Sequence, residues 1–156
     1  MTFGIARLEN WPTTLSAMIV DAQDEPFAWG THDCCMWSAD VVKAMSVAGI
    51  DLAAPYRGTY SDAAGAAAVI SGATGGGTLE DLMVQIAAQY TLPEFAPAFA
   101  WRGDIALFDT DTGPAMGIVG NDTAAAFVSP DGLVWMDLTT QVRRVWRIAA
   151  GAQPAV

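Results

Sequence analysis

The chain has 156 residues, of which 53% are hydrophobic and only 15% are charged, and its formal net charge at pH 7 is -10. This length is typical of one domain with a core that needs no disulfide or metal, so we expect residues 1–156 to fold as a single domain. Nucleic acids and anionic membranes are recognised by clustered positive charge, whereas the 7 Lys and Arg residues are spread along this chain. The composition therefore argues against a nucleic-acid-binding function and against binding to an anionic membrane.

No apolar run approaches the about 18 residues of a membrane-spanning helix, and the N-terminus lacks the apolar segment of a signal peptide. We therefore expect no membrane insertion and a soluble product of the cytoplasm. The chain also carries 6 Trp and 7 Met residues. Such a composition indicates either a large core or a surface that other protein chains partly cover.

The chain begins with two predicted helices. Asn10-Trp11-Pro12 is typical of a helix start, because proline is tolerated early in a helix, and the apolar spacing extends this helix to about Ala22. A second helix is predicted from Cys34 to about Ala48, with Gly49 as its C-cap. The two helices are separated by an acidic turn and an aromatic loop.

Two further helices follow in the middle of the chain. Ser61 is expected to cap an alanine-rich helix that runs through Ile70, and the glycine-rich run at 72–77 predicts a flexible turn. Thr78 is expected to cap the fourth helix, which has acidic residues in its first turn. Residues 91–97 are predicted to be a connector.

From Ala98 onward the pattern changes to short β-type runs separated by Asp, Gly, Asn and Pro turns. The predicted strands are 103–108, 115–120, 124–128, 133–136 and 143–148. Helices followed by strands indicate an α+β fold. We therefore predict N-terminal helices packed on a C-terminal antiparallel sheet of about five strands.

Cys34 is the residue best placed for chemistry. Asp33 is a good N-cap, so Cys34 would lie in the first helical turn, where the helix dipole stabilises a thiolate and lowers the thiol pKa. The alternative is structural, because Cys34, Trp37 and Val41 fall on one helical face and free cysteines often serve as small core residues. Both interpretations remain open from these residues alone.

Neither a metal nor a cofactor is predicted. Cys34 and Cys35 are adjacent, which rarely suits a disulfide, so both are expected to be free thiols. His32, Asp33 and the two cysteines are consecutive and cannot converge on a tetrahedral ion, and no second ligand pair lies elsewhere. The glycines at 72–77 lack the preceding strand and following Lys-Ser/Thr of a phosphate-binding loop.

Four segments carry a resemblance to a known family. They are Trp29-Gly30-x-x-Asp33-Cys34-Cys35, Arg57-Gly58-Thr59-Tyr60, Arg102-Gly103-Asp104 and Arg144-x-Trp146-Arg147. In this order the chain resembles the NlpC-type cell-wall cysteine peptidases, which have a papain-like fold, and most closely a small branch carried by tailed bacteriophages and gene transfer agents. The resemblance covers the chain from about Pro26 to Ile148.

The resemblance implies a nucleophile at Cys34 but not the rest of a peptidase site. The family's oxyanion-supporting Tyr matches Phe27, its base His matches Ala115, and its orienting polar residue falls within the apolar run 124–127. Thiolate attack on an amide needs a partner that protonates the leaving amine. Because such assistance is worth about 10²–10⁴ in rate, a lone thiol is expected to be a poor amidase.

His32 is the only histidine and lies two residues before Cys34. It is a candidate replacement base, although a residue just outside a helix usually points away from the first-turn side chain. The alternative is a solvent-exposed or loop-packing role. A catalytic role for His32 would also need a third group to orient the imidazole, and such a group is hard to find in the sequence.

Three functional hypotheses follow from the resemblance. The first is a structural component of a phage-type tail tip that contacts other tail or hub proteins and carries a degenerate peptidase domain. The second is an active peptidoglycan endopeptidase or amidase that uses Cys34 during DNA delivery. The third is acyl or redox chemistry at Cys34 without hydrolysis. For the first two, the resemblance implies synthesis in the bacterial cytoplasm and assembly into a phage-like tail.

The arginines and tryptophans of these segments allow further expectations. We expect one or more of the motif arginines to pair with Asp33, Asp104 or a neighbouring subunit, with ordinary solvation as the alternative. The arginines concerned are Arg57, Arg102, Arg144 and Arg147. Trp146 and Trp135 are expected to pack on the helices, and Trp29 or Trp11 could anchor a partner.

Overall fold

The computed structural model describes residues 4–149, which form four α-helices and one antiparallel sheet. The helices are α1 (Trp11–Ala22), α2 (Cys34–Met45), α3 (Ala63–Thr74) and α4 (Leu79–Tyr90). None of the helices in this part of the chain is long and apolar enough to cross a membrane. The bounds of α1 agree with the prediction.

The second helix is shorter than predicted. It ends at Met45 rather than near Ala48, because Ser46 adopts an extended backbone conformation. The Ser46 hydroxyl then accepts the backbone N–H of Ile50 at 2.7 Å, which stabilises the turn. Gly49 therefore lies beyond the cap and does not form it.

The third helix is shifted along the chain. Its N-cap is Asp62 rather than Ser61, since the Asp62 carboxylate accepts the backbone N–H of Gly65 at 2.6 Å. It continues past the predicted end at Ile70 to Thr74, where Gly75 adopts a left-handed conformation and terminates it. The predicted flexible turn is thus partly helical.

The fourth helix begins as predicted. Its N-cap is Thr78, and the Asp81 carboxylate accepts the Thr78 backbone N–H at 2.7 Å as part of a capping box. The local sequence pattern was sufficient here because every group of the cap lies within four residues.

The sheet has six strands in the order β1-β6-β2-β3-β4-β5. They are β1 (Glu94–Phe95), β2 (Ile105–Thr110), β3 (Gly113–Val119), β4 (Ala124–Ser129), β5 (Gly132–Asp137) and β6 (Val142–Trp146). The α+β class is confirmed, but the expected count of about five strands is too low. The additional strand, β1, lies within the predicted connector and pairs with the end of β6. Two residues are too few to show an alternating pattern.

The core lies on both faces of the sheet. Side chains of the helices, such as Leu15 and Val41, pack with Ile105 and Ile118 on one face, and Phe108 belongs to a second cluster on the other. The helix α2 crosses strands β3 and β4. This packing brings the N-terminus of α2 to the middle of the sheet.

The tryptophans differ in burial. Trp146 is buried in the core, as expected, whereas Trp135 on the edge strand β5 remains 40% exposed. Trp11 is buried beneath the guanidinium of Arg7, so it offers no free anchor for a partner. Trp29 is 36% exposed, so its ring is accessible to a partner.

All four motif arginines are held by other groups of the chain. Arg147 pairs with Asp104 in the interior, so pairing with Asp104 is confirmed. Pairing with Asp33 does not occur among the described residues; instead Arg57 binds Asp51 and Asp40. The remaining contacts are Arg102 with Ser16 and two backbone carbonyls, and Arg144 with Glu80 and Glu94.

Candidate functional site

The loop before α2 is closed by two backbone hydrogen bonds between Ala28 and His32, with N···O distances of 3.0 and 2.8 Å. Gly30 lies in this loop with a φ of 81°, and a Cβ atom there would come within 2.2 Å of the Tyr60 carbonyl oxygen. A side chain is therefore excluded by both conformation and space. The glycine allows the segment around Tyr60 to pack directly on the loop.

Asp33 joins the loop, the helix and Tyr60. One carboxylate oxygen accepts the Met36 backbone N–H at 2.9 Å, and the other accepts the Gly30 N–H at 2.9 Å and the Tyr60 hydroxyl at 2.6 Å. The side chain is fully buried. Burial and the bond to Asp33 raise the pKa of Tyr60, so the phenol remains a donor. Asp33 is thus committed to structure rather than to proton transfer.

The Cys34 sulfur lies at the start of α2, 3.8 Å from the Cys35 sulfur. The pKa of Cys34 is lowered, chiefly by a hydrogen bond from the Cys35 thiol and also by the Met116 backbone N–H, against an opposing effect of burial. The pKa of Cys35 is raised well above its ordinary value by the same hydrogen bond and by burial. Cys34 is therefore the more acidic thiol of the pair.

The structure places His32 away from this chemistry. Its Nδ1 atom pairs with the Glu25 carboxylate, and its ring is buried rather than exposed. Its Nε2 atom has no hydrogen-bond partner within residues 4–149. No hydrogen bond joins His32 to Cys34 in this part of the chain, so the ring packs within the loop.

Apolar side chains of the sheet pack around the Cys34 sulfur. Cys34 packs against the cluster that contains Ala115 and Phe127, and both side chains line the same cavity as the sulfur. Phe27 contacts the ring of Trp29 edge-on at 4.9 Å. Cys34 and Ala115, which the resemblance relates to a nucleophile and its base, thus lie together.

A cavity of about 710 Å³ opens beside the two cysteines. We call it the groove; its walls come from α2, α3, α4 and the sheet, and its lining is mostly apolar. No residue of α3 is buried, although the helix is rich in alanine and carries Val69 and Ile70. The apolar face of α3 is therefore only partly covered: Ile70 packs against the core, and its neighbours on the helix line the groove.

The rim of the groove is acidic at one end. Asp111 and Asp131 occupy the β2–β3 and β4–β5 turns, which lie at the same end of the strands. Neither carboxylate forms an ion pair within residues 4–149, and the lining contains no Lys or Arg. Sequence reasoning did not find the groove, because it depends on the distance between α3 and the sheet.

We expect Cys34 to react with iodoacetamide faster than Cys35 in the folded protein. Since the pKa of Cys34 is lowered and that of Cys35 is raised, the rate for Cys34 should reach half-maximum at a lower pH than the rate for Cys35. Digestion and mass spectrometry at a series of pH values would give both rates. Cys35→Ala removes the donor and should move the Cys34 midpoint upward. Reaction of both thiols only after unfolding would instead assign Cys34 to the core.

The comparisons with known proteins give a family but no function. A family model described as a domain of unknown function (DUF6950) matches residues 6–148, and so includes every described helix and strand. No curated protein matches the chain.

Proposed function

The chain belongs to the DUF6950 family, a domain of unknown function, and we propose that it is a structural component of a phage-type tail tip. In this proposal the domain is a degenerate NlpC-like peptidase with a papain-like arrangement. It is made in the bacterial cytoplasm, is assembled into a phage-like tail, and contacts other tail or hub proteins.

The arrangement of α2 on the sheet supports the papain-like part of the proposal. A cysteine at a helix start, packed against a strand of an antiparallel sheet, is what the resemblance leads us to expect, and the matched position Ala115 lies on that strand. The motif residues Asp33 and Tyr60 are joined by a hydrogen bond. The motif residues Asp104 and Arg147 form an ion pair.

The observation that carries the structural role is the set of groups around the Cys34 sulfur. They are the Cys35 thiol, the Met116 amide and apolar side chains. An amide bond breaks only when the leaving nitrogen receives a proton, and none of these groups is a suitable acid at neutral pH. A thiolate alone would add to a carbonyl and be expelled again.

The electrostatics of the groove agree with this assignment. Peptidoglycan carries negative charge, whereas the rim residues Asp111 and Asp131 are acidic and the lining has no cation. Like charges would disfavour wall material in the groove. A protein surface makes a better partner.

Hydrolysis of purified cell-wall sacculi tests the proposal directly. We expect release of soluble fragments by the wild-type protein to equal that by Cys34→Ala, because the nucleophile has no proton donor. An active NlpC-type peptidase serves as the positive control. Clearing by the wild type that Cys34→Ala abolishes would overturn the structural role and establish the hydrolase.

The assembly role has its own test in the host particle. Deletion of the gene should give particles without functional tails, and both the wild type and Cys34→Ala should restore infectivity or gene transfer. Immunodetection should find the protein in purified tails. Its absence from tails, or rescue by the wild type alone, would contradict the proposal.

A further inference from the structure

We propose that the groove binds a segment of a partner protein that carries apolar side chains together with at least one Lys or Arg. This inference rests on the proposed function and names the chemistry of the partner at that same domain. It draws on the partly covered apolar face of α3, the acidic rim and the exposed aromatic group at the loop.

The apolar walls of the groove indicate that the bound segment carries hydrophobic side chains. The helix α4 contributes Leu82, Met83 and Ile86 to the groove, and the sheet contributes Met116 and Phe127. Facing them, α3 contributes Ala67, Val69 and Ile70, none of which is fully buried. An apolar groove of this kind suits the apolar side chains of a partner.

The acidic rim of the groove indicates that the bound segment carries positive charge. Asp111 and Asp131 lie at one end of the groove with no ion pair of their own within the described residues, and the lining has no basic side chain to neutralise them. An anionic ligand would meet repulsion there, and an uncharged chain would leave the carboxylates uncompensated. A Lys or Arg beside an apolar stretch complements both features.

An aromatic group offers a second contact for a cation. Trp29 is 36% exposed and packs edge-on against Tyr60, with ring centroids 6.5 Å apart. Both rings line the groove. The face of an exposed Trp attracts Lys and Arg side chains. The volume of about 710 Å³ lies within the range of pockets that enclose short ligands, so a segment fits better than a whole domain.

Fluorescence anisotropy with three labelled peptides tests the proposal on the full-length protein. The probe is a dodecapeptide of alternating Leu and Lys, and the matched peptides replace Lys with Glu or Leu with Ser. We expect the Leu/Lys peptide to bind about tenfold more tightly than either, because it alone satisfies both the walls and the rim. Bound peptide should also slow alkylation of Cys34.

Charge reversal locates the binding. Asp111→Lys with Asp131→Lys should weaken the Leu/Lys peptide about fivefold, as expected for two exposed ion pairs. Asp122→Lys is the control, because Asp122 is exposed in the β3–β4 turn at the opposite end of the strands. It changes the net charge by the same amount per site but should leave the affinity nearly unchanged.

Filling the groove provides a second, independent variant. Ala67→Trp should reduce the affinity about thirtyfold, since it occupies space that an apolar side chain of the peptide would otherwise fill. Ala68→Trp places the same ring on the next residue of α3, outside the lining, and should have little effect. Thermal unfolding verifies that each variant is folded, and the charge variants decide the result if Ala67→Trp is not.

Equal binding of all three peptides, or affinity for the Leu/Lys peptide that neither groove variant lowers, would overturn the inference. These outcomes are distinct from failure of the proposed function. Sacculus hydrolysis would overturn the structural role whatever the peptides do. Absence of peptide binding would show that the groove is not a docking site, and it would not affect the result of the complementation experiment.

Discussion

Asp33→Ala is expected to lower the free energy of unfolding by about 3 kcal/mol, combining the loss of a helix cap with the loss of buried hydrogen bonds to a charged group. The carboxylate accepts from Met36, Gly30 and Tyr60, and it is buried. Removing it leaves these donors without their partner in a largely buried site. Urea unfolding followed by far-UV circular dichroism gives the change.

Two variants separate the contributions of Asp33. Tyr60→Phe removes one donor and should cost about 1 kcal/mol. Asp62→Ala removes the exposed N-cap of α3 and should cost about 1 kcal/mol or less. A loss for Asp33→Ala no larger than for Asp62→Ala would show that the buried network contributes little beyond an ordinary cap.

Asp104→Ala is expected to lower the free energy of unfolding by about 4 kcal/mol, because it leaves a buried cation unpaired. Arg147 binds both carboxylate oxygens at 3.1 and 2.9 Å, and its guanidinium lies between the rings of Phe95 and Trp101. Burial raises the pKa of Asp104 despite the pairing. The measurement is again chemical unfolding.

The surface ion pairs provide the comparison. Arg144→Ala breaks bonds to Glu80 and Glu94 at the surface and should cost about 1 kcal/mol or less. The double variant Asp104→Ala with Arg147→Met should recover part of the loss, since it removes the stranded charge along with its partner. A loss for Asp104→Ala as small as for Arg144→Ala would contradict the assignment of a buried pair.

The features that the sequence predicted well are those fixed by neighbouring residues. Asp33 caps α2 and Thr78 caps α4, because the groups involved lie within one helical turn of each other. The end of α3 was misplaced because Gly75, rather than Gly72, takes the left-handed conformation that stops the helix. Local composition did not distinguish between these glycines.

The features that the sequence missed depend on contacts between distant segments. The role of Tyr60 depends on its hydrogen bond to Asp33, 27 residues earlier in the chain. The pairing of His32 with Glu25 likewise required the loop conformation. Tyr60 belongs to one of the motif segments, but the motif does not indicate which residue it bonds. No sequence pattern singles out Glu25.

The hydrogen bond from Tyr60 to Asp33 is one of several contacts that join the segment before α3 to the start of α2. Tyr60 lies three residues before α3, and Asp33 directly precedes Cys34. A movement of α3 that displaced Tyr60 would break this hydrogen bond to the residue that caps α2. The reaction rate of a single thiol can thus serve as a sensor for movement of a helix that it does not belong to.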